Sequence, residues 1–151
     1  MNFMVILKQS CFSPHLKSNT KQGIIEEMID LMVDAGKIRD KQDALKTVLK
    51  REKRTSTGLQ HGVAVPHGKT DKVDGLISAF ALKKEGIDFD SVDGELSKIF
   101  IMTISPTLQV GSHIEYLMKM GKRLSIPFVR KKILKAKTKA EIIEILSSKH
   151  R

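Results

Sequence analysis

The spacing of apolar residues changes twice along the chain, and this pattern limits the possible folds more than any other feature of the sequence. Apolar residues recur near the helical period of about 3.6 in residues 21–35 and 40–53, and again from residue 112 onward. Three short apolar runs of strand length lie between these blocks, at residues 62–66, 76–82 and 98–104. Helices, then strands, then helices predict the fold class α/β, as a sandwich of helices around a small mixed β-sheet.

Residues with capping side chains predict where several helices begin. Asn19 is expected to cap the first of these helices, and Ser112 the helix that follows the third apolar run. Pro127 fits the first turn of the next helix. Thr138, with Glu141 three residues later, forms a capping box for the last one. The C-terminal third is therefore predicted to contain three separate helices.

The length of 151 residues predicts a single domain, spanning residues 1–151. Hydrophobic residues make up 40% and charged residues 29% of the chain, which excludes a disordered protein. No apolar run reaches the roughly 20 residues of a membrane span, and the patch at residues 3–7 is too short for a secretory signal. The single cysteine, Cys11, has no partner for an internal disulfide. We therefore expect a cytoplasmic protein without direct membrane insertion.

Two histidines stand at positions where a polar side chain can bind a ligand. His67 follows a short β-rich run and Pro66, so we expect it at a strand end, where open α/β sheets bind their ligands. His113 is expected in the first turn of a helix, next to backbone N–H groups that favour an anion. Arg51 and the hydroxyls of residues 55–57 precede His67, and a guanidinium with several hydroxyls suits a phosphoryl group. The residues by themselves leave open a structural role for both histidines.

A metal site and other catalytic motifs have less support in the sequence. His61, His67 and His113 could in principle gather a metal ion. The nearest carboxylate at short spacing, Glu115, lies two residues past His113 and on another helix face. The sequence has no phosphate-binding loop of Walker type, no Gly-x-Ser-x-Gly and no His-Glu-x-x-His. We expect no metal and no cofactor.

The net charge of +10 is unevenly distributed. Between residues 116 and 140 there are nine basic residues and no acidic one: Lys119, Lys122, Arg123, Arg130, Lys131, Lys132, Lys135, Lys137 and Lys139. This charge raises the remote alternative of a basic nucleic-acid-binding module. The chain has no Trp and one Tyr, so it lacks the aromatic side chains that stack on single-stranded nucleic acid, and we expect no nucleic-acid partner. Apolar residues alternate with these bases, which predicts that the basic segment faces outward on the last three helices, away from His67.

Several motifs together resemble one known family. They are Arg51-Glu52, Ser56-Thr57-Gly58 and the run from Gly62 to His67-Gly68, followed by residues 86–89, Asp93-Gly94 and a helix-opening His113. This combination is similar to the enzyme IIA domain of the bacterial phosphotransferase system, fructose/mannitol type, which includes a nitrogen-related regulatory branch. The resemblance extends over about residues 20–146.

The resemblance implies a mannitol-type enzyme IIA-like fold and a phosphotransferase component with a phosphohistidine intermediate. His67 would accept a phosphoryl group from HPr or an HPr-like carrier and pass it to a sugar-specific enzyme IIB. His113 would hydrogen-bond the phosphoryl group or orient His67, and Arg51 would offset its charge. As an alternative, a regulatory enzyme IIA of the nitrogen-related branch would act by phosphorylation-dependent binding to a regulatory target protein.

Overall fold

The computed structural model describes residues 2–148 of the chain, so His150 lies outside the described residues. This part of the chain forms six α-helices: α1 (Phe3–Gln9), α2 (Lys21–Asp34), α3 (Lys41–Arg54), α4 (Val110–Leu124), α5 (Pro127–Leu134) and α6 (Lys139–Ser147). It also forms five strands, β1 (Cys11–Ser13), β2 (Val63–Ala64), β3 (His67–Lys69), β4 (Ile77–Ile87) and β5 (Ser97–Ser105), and a 3₁₀ turn at Gln60–Gly62. None of the helices in residues 2–148 is long and apolar enough to cross a bilayer.

The strands of residues 2–148 form one mixed sheet in the order β1-β4-β5-β2, with β3 also paired to β5. β4 and β5 are antiparallel, whereas β1 is parallel to β4 and both β2 and β3 are parallel to β5. β5 therefore lies inside the sheet, and β3 lies at its edge. The small mixed sheet predicted from the three apolar runs is confirmed.

Helices cover both faces of this sheet, because the side chains of β5 alternate between two cores. Phe100, Met102 and Ile104 belong to a core that they share with residues of α2 and α3. Ile99 and Ile101 belong to a second core, shared with residues of α1, α4, α5 and α6. The predicted sandwich of helices around the sheet is confirmed.

The structure confirms two of the predicted helix starts and corrects a third. Pro127 is the first residue of α5, and the hydroxyl oxygen of Thr138 accepts the backbone N–H of Glu141 at 3.2 Å. The cap predicted at Asn19 is wrong, because α2 is capped by Thr20, whose hydroxyl oxygen accepts a backbone N–H at 3.0 Å. Asn19 and Thr20 are both common capping residues, and Thr20 makes the capping hydrogen bond in the structure.

The start of α4 also differs from the prediction. α4 begins at Val110, directly after Gln109, so the cap predicted at Ser112 is wrong. The N–H of Gln109 donates to the carbonyl of Pro106 at 3.1 Å, and this turn leads directly into the helix. In the same turn the N–H of Thr107 donates to a carboxylate from a distant loop at 3.0 Å. A tertiary contact therefore helps to set the beginning of this helix.

Two elements in the first eighteen residues were not predicted, α1 and β1. Asn2 caps α1, since its side-chain oxygen accepts the N–H of Val5 at 2.9 Å. The ring of Phe3 packs on Tyr116 of α4, with the ring centroids 5.4 Å apart, and β1 pairs with β4. A helix of seven residues and a strand of three are too short to show a clear hydrophobic period, so their contacts with the rest of the fold decide their structure.

The basic segment lies on the outer surfaces of the C-terminal helices. On α5 the side chains of Lys131 and Lys132 are exposed, and Lys135 directly after the helix is exposed as well. Val129 and Ile133 of the same helix are fully buried in the second core. The predicted division of α5 into a basic outer face and an apolar inner face is confirmed.

α3 packs closely against the sheet at Gly68. This glycine pairs in register with Ile104 and therefore faces the core beneath α2 and α3. A Cβ atom at this position would lie 2.5 Å from Cγ2 of Thr47 and 3.2 Å from the backbone nitrogen of Val48. The close approach of α3 to β3 thus requires glycine.

We predict that Gly68→Ala lowers the free energy of unfolding by about 1–3 kcal/mol, because the added methyl group pushes α3 away from the sheet. Gly121→Ala is the matched control. Position 121 lies within α4 with nothing within 4 Å of a new Cβ, and alanine there should raise the free energy of unfolding by roughly 0.5–1 kcal/mol. Urea unfolding followed by circular dichroism measures both values, and equal stabilities of the two variants would contradict the prediction.

Candidate functional site

His67 is the first residue of β3, at the edge of the sheet. The chain pairs with β5 at Val63–Ala64, leaves the ladder at Val65 and Pro66, and pairs again from His67 onward. The carbonyl of Pro66 accepts the N–H of Thr103 at 3.2 Å. The predicted strand end is therefore wrong: Pro66, which has no N–H, interrupts the pairing without ending it, and His67 opens the next strand.

Thr103 of β5 brings His67 and His113 together. His67 is paired in register with Thr103, so both side chains point to the same face of the sheet, the one covered by α4. The hydroxyl oxygen of Thr103 lies 2.7 Å from Nε2 of His113 on that helix. The two imidazole rings meet edge to face, with their centroids 5.1 Å apart.

His113 is the fourth residue of α4 and is only 5% exposed. It lies further into the helix than predicted, at the end of the first turn, because α4 begins at Val110 and not after Ser112. Burial lowers the pKa of His113 to about 4, with smaller contributions from the charges of His67 and Lys69. His113 is therefore neutral at pH 7.

One backbone hydrogen bond orients the ring of His67. Its Nδ1 lies 2.8 Å from the carbonyl oxygen of Val65, and since a carbonyl can only accept, Nδ1 carries the donated proton. In the neutral ring the lone pair of Nε2 is then free. Burial lowers the pKa of His67, and the positive charge of Arg51 lowers it further, against the opposite effect of the hydrogen bond to Val65.

Arg51 lies in the last turn of α3 and is half-buried. Its Nη1 donates to the carbonyl oxygen of Thr55 at 2.9 Å, which holds one side of the guanidinium in place. The other N–H groups of this fork remain for an anion. The positive charge of Arg51 acts on His67, so the fold assembles the three residues singled out in the sequence.

Glu52, next to Arg51, fixes the loop that follows α3. Its Oε1 accepts the N–H of Thr57 at 2.8 Å, and its Oε2 accepts the hydroxyl of Thr57 at 2.6 Å. The ammonium group of Lys21 lies 2.8 Å from Oε1 of the same carboxylate. This buried carboxylate therefore joins α2, α3 and the loop.

The hydroxyls of residues 55–57 are not directed as the sequence analysis expected. Thr57 donates its hydroxyl to Glu52, and Ser56 donates its hydroxyl to the carbonyl of Phe89 at 2.7 Å. The hydroxyl of Thr55 donates to a neighbouring carbonyl at 2.7 Å. These side chains stabilise the loop, so the hydrogen-bond donors for an anion at His67 have to come from other residues.

Lys69 and Thr103 belong to the site but were not singled out in the sequence. Lys69 lies two residues after His67 in β3, so its side chain is on the same face of the sheet. Its ammonium group donates to the hydroxyl of Ser105 at 3.3 Å, and its charge lowers the pKa of both His67 and His113. Had the sequence predicted a strand at β3, the alternation of side chains along it would have placed Lys69 on the same face as His67.

An exposed group of apolar side chains lies beside His113. This α4 apolar patch consists of Leu108, Val110, Ile114 and Met118, which are 93%, 47%, 52% and 70% exposed. The last three follow one another at intervals of four residues and form a stripe on one face of the helix. Exposed apolar side chains clustered in this way are typical of a protein-binding surface.

Residues 2–148 contain no group of three or more His, Cys, Asp and Glu side chains placed to hold a metal ion. His61, considered in the sequence as a third ligand, lies in the 3₁₀ turn with a φ of 63°. Its backbone N–H donates to the carboxylate of Asp93 at 3.0 Å. The pair that the structure brings together is His67 and His113.

The low pKa of His113 predicts that stability depends on pH. In the unfolded chain this residue binds a proton below pH ~6.5, whereas in the folded protein it does so only near pH 4. The unfolded state binds more protons between these values, so lowering the pH from 6.5 to 4 should lower the free energy of unfolding by on the order of 3 kcal/mol through this residue.

Urea unfolding of the wild type and of His113→Gln across this pH range measures the effect. The variant lacks the titrating group, so the stability difference between the two proteins should shrink as the pH falls. A constant difference, or an NMR titration that puts the pKa of His113 at its ordinary value, would contradict the prediction.

Comparisons with known proteins agree with this geometry. Residues 5–149 match the family described as "Phosphoenolpyruvate-dependent sugar phosphotransferase system, EIIA 2". A fructose-specific EIIA component of Haloferax volcanii is 38% identical over 128 residues, which are 85% of this chain and 83% of that protein. The nitrogen regulatory protein IIA-Ntr of Neisseria meningitidis, in a crystal structure, is 28% identical with a TM-score of 0.87, over 95% of this chain and 98% of that one.

The crystal structure of mannitol IIA from Escherichia coli shares the fold, with a TM-score of 0.77 and 23% identity over 90% of this chain and 95% of that one. The mannitol-type fold implied by the sequence motifs is thereby confirmed. A match that spans nearly the whole chain, together with a relative 38% identical over most of its length, shows the family. The chain belongs to the EIIA type 2 family of the phosphoenolpyruvate-dependent sugar phosphotransferase system.

Proposed function

We propose that this EIIA protein works as a phosphocarrier in which His67 forms the phosphohistidine intermediate. One observation carries the proposal: His67 donates its Nδ1 proton to the Val65 carbonyl at 2.8 Å, which leaves Nε2 with a free lone pair. Because its pKa is lowered by burial, the ring is neutral and nucleophilic at pH 7. Its place on the edge strand leaves room for a donor protein to approach.

In the transfer step, Nε2 of His67 attacks the phosphorus atom of the donor's phosphoryl group. A bond forms between Nε2 and phosphorus while the bond between phosphorus and the donor breaks, and the electron pair of that bond stays with the donor. Transfer to the next protein repeats these events with His67 as the leaving group. For this step the reacting groups must be aligned and the negative charge of the phosphoryl group must be neutralised.

Three neighbours of His67 supply this neutralisation. Arg51 offers the N–H groups that Thr55 does not use, and Lys69 adds a second positive charge. His113 acts as a neutral hydrogen-bond donor. When Thr103 donates its hydroxyl proton to Nε2 of His113, the Nδ1–H of His113 is left for a phosphoryl oxygen.

The α4 apolar patch is the docking surface that we assign to the partner proteins, HPr or an HPr-like carrier as donor and a sugar-specific enzyme IIB as acceptor. Ile114 of this patch follows His113 directly, and His113 contacts His67, so a protein that covers the patch lies close to the histidine pair. A patch of exposed apolar side chains suits such repeated, reversible contacts. The exposed bases of α5 lie on a separate helix that packs on α4 and α6.

Sugar transport is the first candidate pathway, and we expect the protein to act in it from the cytoplasm. It is supported by the 38% identity to a fructose-specific EIIA component. The regulatory alternative is supported by the match in shape to the nitrogen regulatory protein of Neisseria meningitidis. Affinity capture with the phosphorylated and the unphosphorylated protein separates the two, since transport requires a sugar-specific enzyme IIB and regulation requires a different target protein.

Replacing the acceptor residue tests the proposal directly. His67→Ala should remove acid-labile phosphorylation while the fold is retained, as measured by mass after incubation with enzyme I, HPr and phosphoenolpyruvate. His113→Ala and Arg51→Ala should only slow the labelling, because each loses about 2–4 kcal/mol of transition-state stabilisation. His61→Ala, at an exposed histidine, is the matched control and should label like the wild type. If the His67→Ala variant were still phosphorylated, the assignment of His67 as the acceptor would be overturned.

A second experiment tests the docking surface. Ile114→Asp combined with Met118→Asp should slow phosphoryl transfer from HPr at least about tenfold, because charges in an apolar contact weaken binding. The triple variant Lys131→Glu, Lys132→Glu and Lys135→Glu changes more charge and should stay within a few-fold of the wild-type rate. Circular dichroism checks that both variants are folded. If the triple lysine variant slowed the transfer and the double aspartate variant did not, the docking site would lie on the basic segment.

A further inference from the structure

A groove of about 740 Å³ lies between α2 and α3. Its size is within the range of roughly 300–1,000 Å³ that small-molecule sites occupy. His67, His113 and Arg51 do not line it, so the phosphotransfer step leaves it without a role. Residues that do line it include Lys21, Lys46, Leu49, Lys50, Glu52 and Lys53.

Three of these lysines form a row along α3. Lys46, Lys50 and Lys53 are spaced by four and three residues, so they share one helix face and span about 10 Å along the axis. None of the three forms an ion pair with any residue between positions 2 and 148. Like charges at this spacing destabilise a helix. The groove therefore holds a row of three positive charges, none of which forms a direct ion pair within residues 2–148.

The acidic residues of the groove are already engaged elsewhere. Lys21 lies 2.8 Å from Glu52 and 3.2 Å from Asp90, so its one charge is shared by two carboxylates. Glu52 is buried and also accepts the N–H and the hydroxyl of Thr57. Four lysines and two carboxylates line the groove, so about two positive charges are left for an external anion.

We infer that this groove binds a small anion with two or three linked phosphate groups. Such a chain repeats its negative charge over several ångströms, so separate phosphates can contact the ammonium groups of Lys46, Lys50 and Lys53. Leu49 lies in the groove between these lysines and is partly buried, which offers apolar surface to a nucleoside attached to the chain. Both inorganic oligophosphate and a nucleoside triphosphate share this chemistry. The inference does not depend on the role proposed for His67.

Calorimetric titration of the full chain with inorganic tripolyphosphate and with ATP tests the inference. We expect tripolyphosphate to bind with a dissociation constant below about 1 mM at low salt, and more weakly as salt is raised, because ions screen exposed charges. Lys46→Gln, Lys50→Gln and Lys53→Gln together should weaken binding at least about tenfold. The matched control, Lys131→Gln with Lys132→Gln and Lys135→Gln, removes the same charge from α5 and should bind within about twofold of the wild type.

NMR spectroscopy locates the binding site. On addition of tripolyphosphate, the backbone amide shifts should change in residues 46–53 and not along α5. If tripolyphosphate and ATP bind with equal affinity, the phosphate chain alone is recognised. If ATP binds more tightly, the nucleoside also contacts the groove at Leu49. The inference is overturned if tripolyphosphate does not bind at about 1 mM, if both triple variants lose affinity equally, or if citrate binds as tightly as tripolyphosphate.

Discussion

The parallel pairing of β3 with β5 is the interaction on which the candidate site depends. It sets His67 opposite Thr103 and Gly68 opposite Ile104. Because side chains alternate along a strand, His67 faces α4 and its partner His113, while Gly68 lets α3 pack closely on the other face. A shift of one residue would turn the imidazole into the core beneath α3 and leave glycine beside His113. The register therefore sets both the geometry of the histidine pair and the packing of α3 on the sheet.

The electrostatics of the site follow from this placement. Burial keeps both imidazoles neutral at pH 7, which the proposed roles of His67 as nucleophile and His113 as neutral donor require. The positive charges of Arg51 and Lys69 disfavour a proton on His67. In the proposed transfer, the same charges favour the neutral ring before the step and the phosphorylated ring after it.

The type and order of most elements, and the family, could be predicted from the sequence alone. Hydrophobic periods predicted the helices on either side of three strand-like runs, and Pro127 and Thr138 predicted helix starts that the structure confirms. These signals are local, because a cap or a period depends on residues within one or two turns. Motifs around Arg51, His67 and His113 resemble those of the family to which the chain belongs.

How these parts meet depends on tertiary packing. Which strands pair in which register depends on filling two cores at once, and residues distant in the sequence contribute to each core. That packing formed α1 and β1, moved the start of α4 ahead of Ser112, and placed Thr103 between the two histidines. It also turned the hydroxyl of Thr57 toward Glu52 instead of toward an anion. A local pattern cannot predict these contacts, because each depends on the position of a partner far away in the chain.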